Sequence, residues 1–350
     1  MRELLPTIDA WRAEGRGFGR AVLIRVFGNG PRPEGATLLV ADDGSIAGSV
    51  SGGCVEGAAA EEIARAREDG CARVVRFGIS DEQAWDVGLA CGATIDVLIE
   101  PELRPEVEAA ARASTGAAVI SALPAGSPSE DGGAQPMSVG PMGDAKVISR
   151  GDGGHGALAD AASKLVEKGR SSTLTIGDEQ FFVETFAPPP RLVVFGAVQA
   201  AIPLVRMARE MGWRTAVTDA RAAFASRERF PDADEVLVGW PDEVFSALRL
   251  SDDDAVVVMT HDPKLDEPAI LEAFRAGCRY VGAMGSRRTQ AGRRERLLKD
   301  GLTEEQLARL HGPIGLDLGG REPGEMALAI LAEIVAERND ATGQRLSRRN

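Results

Sequence analysis

After Pro188-Pro189-Pro190 the chain alternates continuous apolar runs with helical segments, and this alternation constrains the fold more than any other feature. Arg191-Leu192-Val193-Val194-Phe195, Thr215-Ala216-Val217-Thr218, Glu235-Val236-Leu237-Val238, Ala255-Val256-Val257-Val258-Met259 and Tyr280-Val281-Gly282-Ala283-Met284 read as strands. A strand apolar at successive positions must be covered on both faces. With helices between the runs, the expected solution is a Rossmann-like, doubly wound parallel sheet. Thr303-Glu304-Glu305-Gln306 fits a capping box, and Pro323 stands where a last helix, to about 338, should begin. Three prolines stiffen the chain and cannot continue a ladder, so they mark a boundary. The expected organisation is α/β, with an N-terminal α/β (α+β) domain over 1–187, the Rossmann-like domain over 191–340 and a frayed tail over 341–350.

The first domain opens with a helix expected at 2–14 and a strand at 19–27. Asp42-Asp43-Gly44 between two short apolar runs signals a hairpin. Gly52-Gly53 leads into an alanine- and glutamate-rich helix, 55–69, stopped by Gly70. Val74-Val75-Arg76-Phe77 and Thr94-Ile95-Asp96-Val97-Leu98-Ile99 are further strands. Residues 113–145, rich in Ala, Gly, Ser and Pro, read as one long exposed loop. A glycine pair, a helix and a closing glycine recur at the same spacing from Gly151 to Gly169. This suggests an internal duplication; coincidence in an Ala/Gly-rich chain is the competing explanation.

Charge and cysteine usage narrow the function. The net charge of −13 argues against a general nucleic-acid binder, which needs cations to displace phosphate counterions. No apolar run reaches the roughly 18 residues of a membrane span. Met1-Arg2-Glu3-Leu4-Leu5-Pro6 carries no signal-peptide stretch, so the expected compartment is the cytoplasm. Four cysteines without a C-x-x-C pair form no disulfide framework, and His155, His261 and His311 show no zinc-ligand spacing.

Four places carry chemistry. In Ser51-Gly52-Gly53-Cys54, small residues between a strand and a helix let backbone N–H groups point at an anion. Cys54, at the positive end of the following helix, is expected to favour its thiolate and is a candidate soft-metal ligand or sulfur acceptor. The alternative is a tight turn around an inert, buried cysteine. Cys91, beside Gly92, is a second candidate in the same domain, whereas Cys71 and Cys278 read as core residues. The loop from Gly196 has the strand–loop–helix context of a dinucleotide site, but Val198 and Ala201 stand where glycines are required. A side chain at 198 crowds a pyrophosphate, so NAD(P) binding is not expected. Asp219 closes the next strand, where a ribose-binding acid belongs, and Arg221 stands ready to meet a phosphate instead.

Gly285-Ser286-Arg287-Arg288 follows another strand. Ser286 fits an N-cap, and two cations in the first helical turn oppose the macrodipole unless an anion binds there. His261, after the 255–259 strand, is a candidate acid/base, with a capping or packing role as the alternative. Pro313 to Gly319 is an apolar, glycine-rich turn that can line the same crevice.

Taken in order, Gly48 to Glu56, Cys91-Gly92, Glu100-Pro101, Asp219-Ala220-Arg221, Thr260-His261-Asp262, Tyr280 to Arg288 and Pro313 to Asp317 resemble the XdhC/CoxI family of molybdenum-hydroxylase maturation proteins. The resemblance runs from about Gly19 to Glu337. It implies a chaperone that binds the molybdenum cofactor (molybdopterin) while it is sulfurated, then inserts it into xanthine dehydrogenase-like or CO dehydrogenase-like apoenzymes. The implied partners are a molybdenum hydroxylase apoenzyme and a cysteine desulfurase; homo-oligomerisation is left open. Two positions depart from the family pattern: G-A-G-H is Gly196-Ala197-Val198-Gln199 here, and C-G-G is Cys91-Gly92-Ala93. Two other classes stand beside this reading, an NAD(P)-dependent oxidoreductase and a non-catalytic regulatory module.

Overall fold

A computed structural model describes all residues except 29, 31, 79–93, 114, 125–136, 141–144, 150–155, 349 and 350. The chain divides into two compact units, Met1–Pro188 and Pro189–Asn350.

The first unit contains α1 (Leu5–Ala13), β1 (Phe18–Phe27), β2 (Thr37–Ala41), β3 (Ile46–Gly48), α2 (Glu56–Asp69), β4 (Ala72–Phe77), β5 (Thr94–Glu100) and α3 (Pro105–Arg112). It continues with β6 (Ala117–Ala122), β7 (Met137–Gly140), β8 (Ala145–Ser149), α4 (Ala157–Lys168), β9 (Ser172–Ile176) and β10 (Glu179–Phe186). One sheet has the order β3-β2-β1-β5-β4-β7 and the other β8-β6-β10-β9. The stretch 113–145 is therefore not one exposed loop. Ala117–Ala122 is a buried strand paired on both sides, and Met137–Gly140 pairs with β4. Ala-Ala-Val-Ile is small and partly β-branched, which suits a close-packed strand; the Ser/Gly/Pro composition around it hides that.

The two sheets share one wiring. In the first, two strands, a helix and two strands give the spatial order β2-β1-β5-β4. In the second, β6, β8, α4, β9 and β10 give β8-β6-β10-β9, the same order, and every pair in both is antiparallel. Each helix covers its own sheet, α2 through Ala59, Ile63 and Ala66, and α4 through Ala159, Ala162 and Val166. Both end on a left-handed glycine, Gly70 at φ 71° and Gly169 at φ 60°. This correspondence favours duplication over coincidence, although Gly151, Gly153 and Gly154 lie outside the described residues. The sheets are tied by Arg20 on β1, fully buried, which donates to Glu100 on β5 at 2.8 Å and to Glu184 on β10. Breaking such a buried ion set from one side typically costs about 3–5 kcal/mol.

The second unit contains β11 (Arg191–Phe195), α5 (Ala201–Glu210), β12 (Arg214–Asp219), β13 (Glu235–Val238), α6 (Pro241–Leu248), β14 (Asp254–Val258) and α7 (Pro263–Arg275). Then come β15 (Tyr280–Ala283), α8 (Arg287–Lys299), α9 (Glu304–Ala308), β16 (Leu310–His311) and α10 (Pro323–Arg338). All six strands are parallel, in the order β13-β12-β11-β14-β15-β16. Leu192, Val194, Val257 and Met259 face one core with α5 and α10, while Val193, Phe195, Val256 and Val258 face another with α6 and α7. This two-sided burial is why the strands read as unbroken apolar runs. Strand order reverses between β11 and β14, and ligands of such sheets bind beyond the carboxyl ends at that point. Within the tail, Leu346–Arg348 forms one 3-10 turn.

Candidate functional site

In the first unit, the loop from Ser49 to Val55 wraps around a single carboxylate. Glu56, the first residue of α2, accepts at Oε1 from the Ser49 hydroxyl (2.6 Å) and from the N–H groups of Val50 (3.2 Å), Ser51 (2.9 Å) and Gly52 (3.2 Å). At Oε2 it accepts from the Ser51 hydroxyl (2.6 Å), Gly53 N–H (2.9 Å) and Val55 N–H (3.2 Å). Gly52 and Gly53 take φ of +84° and +122°, conformations that L side chains rarely adopt, and this turns their N–H groups inward. Nothing lies within 4 Å of a Cβ built on either, so backbone conformation, not space, demands glycine there.

Burial raises the Glu56 carboxyl, but the hydrogen bonds from Ser49, Ser51 and the backbone outweigh it and hold the group down at about 2. The nest that the sequence offers to an external anion is thus engaged by the chain's own glutamate. Cys54 is exposed, its backbone N–H resting on Ser51 Oγ at 3.0 Å. The loop is a rigid mount that leaves a thiol in solvent, and a thiol is the donor type that suits a soft metal. The alternative of a buried cysteine does not hold.

In the second unit, Asp219 ends its strand, and Gly196, Arg221, His261, Gly285, Ser286, Arg287 and Arg288 follow the carboxyl ends of the parallel strands. Gly196 (φ +112°) packs so tightly that a Cβ would stand 2.8 Å from Thr260 N. Asp219 and Arg221 pair with each other. Asp219 Oδ1 accepts Arg221 N and Nε at 2.9 Å each, and Oδ2 accepts Arg221 Nη2 at 2.8 Å and Ala197 N at 2.9 Å. Burial raises this carboxyl, yet these bonds bring it below its usual range. Both oxygens are engaged, and the guanidinium lies 4.0 Å from the Phe224 ring centroid. Arg229 closes the loop further by donating to Ala197 O at 2.9 Å.

His261 is exposed and takes φ +66°, a conformation uncommon outside glycine. The cap of α7 is its neighbour Asp262, which accepts Lys264 N–H at 3.0 Å. Beneath it, Thr260 donates to the fully buried Asp266 at 2.5 Å, and Asp266 is paired with Arg293 at 2.7 Å. Burial pushes the Asp266 carboxyl up against the pull of these partners. Arg293 and Gln290 also bond the carbonyl of Met284, fixing the exit of β15. Sequence reasoning missed Glu56, Gln290, Arg293 and Asp266. Only Glu56 carried a local signal, a carboxylate in the first turn of a helix.

Ser286 caps α8 by accepting Thr289 N–H at 3.2 Å. Arg287 and Arg288 are exposed and, among the described residues, have no ion-pair or hydrogen-bond partner for their guanidinium groups. A cavity of about 410 Å³ opens between the Met284-Gly285 exit, two residues before Arg287, the 313–321 turn and α10. That volume is within the range of small-molecule sites. Cys91 lies outside the described residues. Cys278 is buried, as expected, and burial raises its thiol to about 12; Cys71 is only half-buried, because it follows the exposed Gly70 turn. Among the described residues no group of three or more His, Cys, Asp or Glu side chains is placed to hold a metal, and no helix is long and apolar enough to cross a membrane.

Comparison with known proteins adds kinship to this geometry. The family model for the XdhC Rossmann domain matches residues 192–334, and that for the XdhC and CoxI family matches residues 11–78. A protein of Bacillus subtilis (strain 168) named as a probable xanthine dehydrogenase subunit is 27% identical over 328 residues, covering 91% of this chain and 92% of its own. The molybdenum cofactor insertion chaperone PaoD of Escherichia coli (strain K12) is 26% identical over 327 residues, covering 93% of this chain and 84% of its own. A crystal structure described as a xanthine dehydrogenase from Bacillus halodurans matches with a TM-score of 0.70 at 24% identity, over 98% of this chain and 97% of that one. The last likeness is one of fold.

Proposed function

Because the chain belongs to the XdhC and CoxI family, we propose that it carries the molybdenum cofactor as cargo and inserts it into a xanthine dehydrogenase-like or CO dehydrogenase-like apoenzyme. The observation that carries this reading is the free cationic turn at the carboxyl edge of the parallel sheet. Arg287 and Arg288 oppose the dipole of α8 and, among the described residues, have no acidic partner; an anion such as the cargo's terminal phosphate reverses that unfavourable placement. Cys54, exposed on its rigid loop, is the soft donor for molybdenum or for sulfur delivered by a cysteine desulfurase. The donor types present suit the cargo: in the first unit an exposed thiol, and in the second a cavity and two guanidinium groups without a partner among the described residues. The chain's own residues bind, orient and release; redox chemistry belongs to the target enzyme once loaded.

The test uses the full chain. Purified protein, or protein incubated with the molybdenum-loaded cofactor, is assayed for molybdenum and for pterin after oxidative release, and then for activation of an apo-hydroxylase. The expected result is retention of both and activation on mixing. Arg287→Ala with Arg288→Ala should lower pterin retention by roughly ten- to a hundredfold, the worth of one charge-assisted hydrogen bond. Absence of both molybdenum and pterin from the wild-type protein, with no activation, defeats the reading.

A further inference from the structure

The cavity in the second unit has a polarity that phosphate binding leaves unused. Its walls are of mixed polarity: Met284, Ile314 and Met326, packed from behind by the sheet core, stand beside glycines and polar groups. Among the described residues, its charged lining is Asp317 and Arg321. Within that same set the Asp317 carboxylate has neither a hydrogen-bond nor an ion-pair partner, and Arg321 does not pair with it.

Asp317 is also held in place. On one side, Leu316 N–H donates to Ala329 O on α10 at 3.1 Å, and Gly315 (φ +100°) runs so close to α10 that a Cβ would stand 3.3 Å from Ala329. On the other, the Glu325 carboxylate accepts Arg321 N–H at 3.0 Å and Glu322 N–H at 3.2 Å. An ionised carboxylate only accepts, and its two oxygens match two parallel N–H donors. Beside the apolar side chains of Met284, Ile314 and Met326, it suits a flat ligand that presents two adjacent N–H groups on one edge. A 2-amino-4-oxopyrimidine has that edge, its exocyclic amino group beside N3–H. Adenine does not, because a ring acceptor adjoins its amino group.

We propose that this cavity binds the ring of a 2-amino-4-oxopyrimidine-fused heterocycle, the class of pterins and guanine, with Asp317 as the residue that reads its amino edge. Resting on the cargo reading above, it names the part of the chain that would recognise the organic half of the cargo. Asp317 selects the ring, and the arginines of α8 serve the phosphate.

The experiment titrates the full chain into pterin-6-carboxylate and into lumazine-6-carboxylate, followed by their own fluorescence. The two probes differ by an amino group replaced with a carbonyl, which turns a donor into an acceptor facing Asp317. The pterin is expected to bind roughly ten- to a hundredfold more tightly than the lumazine, and Asp317→Asn should erase most of that preference. Because Asp317 is exposed, thermal unfolding of the variant should match wild type. Competition with guanosine monophosphate separates the two sources of the edge: weaker competition assigns the site to pterin, stronger competition to a guanine nucleotide. Equal affinity for both fluorescent probes, no pterin binding at millimolar concentration, or an Asp317→Asn protein with unchanged preference overturns the proposal. Its failure is distinguishable from failure of the cargo reading. A chain that retains molybdenum and pterin equally with and without Asp317→Asn keeps the cargo and loses the ring site. A chain that retains neither loses the cargo, while the two probes still decide the ring site.

Discussion

The hydroxyl of Ser51 donates to Glu56 at 2.6 Å and itself accepts the backbone N–H groups of Cys54 and Val55 at 3.0 Å each. One serine thus joins a helix-start carboxylate to the peptide that bears the exposed thiol. Glu56 gathers the loop amides from within, where a ligand phosphate would gather them from without. The loop is ordered before any ligand arrives, and its exposed chemical group is the cysteine.

Glu56→Gln should loosen this loop. The amide keeps one acceptor oxygen but replaces the other with a donor that faces Ser51 Oγ, Gly53 N–H and Val55 N–H. Native-state hydrogen exchange at Ser51, Gly52 and Gly53 is expected to speed up roughly tenfold, the factor for about 1.4 kcal/mol of local stability. Unchanged protection would mean that the loop is held by something other than the carboxylate.

Acid should do the same reversibly. The Glu56 carboxyl is held at about 2 in the folded protein against an unfolded value near 4.3. A depressed folded value gives stabilisation that is complete above the unfolded value and is lost as pH falls toward the folded one. Loop protection should therefore be flat from neutrality to about pH 5 and decline between about 4.5 and 2. In Glu56→Gln that segment of the profile should be flat.

The cysteines should separate sharply under native alkylation. Cys54 is exposed, whereas Cys278 is buried with its thiol raised to about 12. Iodoacetamide at about pH 7.5 should modify Cys54 within minutes and Cys278 only on unfolding, with the half-buried Cys71 between them. Peptide mapping that finds equal rates at the three positions would contradict the exposed setting of Cys54.

Nicotinamide dinucleotides should not bind. Asp219, where a ribose-binding acid belongs, has both oxygens engaged by Arg221 and Ala197, and Val198 stands at a loop position where the dinucleotide fingerprint requires glycine. Calorimetry with NADH and NADPH is expected to show no heat of binding at about 100-fold above typical micromolar constants. Micromolar affinity for either would restore the oxidoreductase reading.

The parallel sheet was legible because burial on both faces writes itself into every residue of a strand: Leu192 through Phe195 are apolar whichever way they point. The caps at Ser286 and Thr303 and the start of α10 at Pro323 were legible for a similar reason, since each depends on neighbours within one helical turn. The strand Ala117–Ala122 was not, because small side chains surrounded by Ser, Gly and Pro carry no periodic signal, and its partners β8 and β10 lie far along the chain. At the site, sequence marked the positions without their pairings. Asp219 and Arg221 were both candidates for a ligand, and only the fold turned them onto each other.

What the sequence determined alone is what short-range rules govern: two units, a doubly wound sheet in the second, glycines where the backbone turns left-handed, and a cysteine at a helix start. What the tertiary structure decided depends on groups brought together from distant segments or through backbone angles. Such are the filling of the glycine nest by Glu56, the burial of Asp266 against Arg293, and the placing of Asp317, without a partner among the described residues, at the cavity of the second unit. The physical reason is that side-chain type fixes which partners a group can take, whereas distance and direction fix which it has, and only the folded backbone sets those.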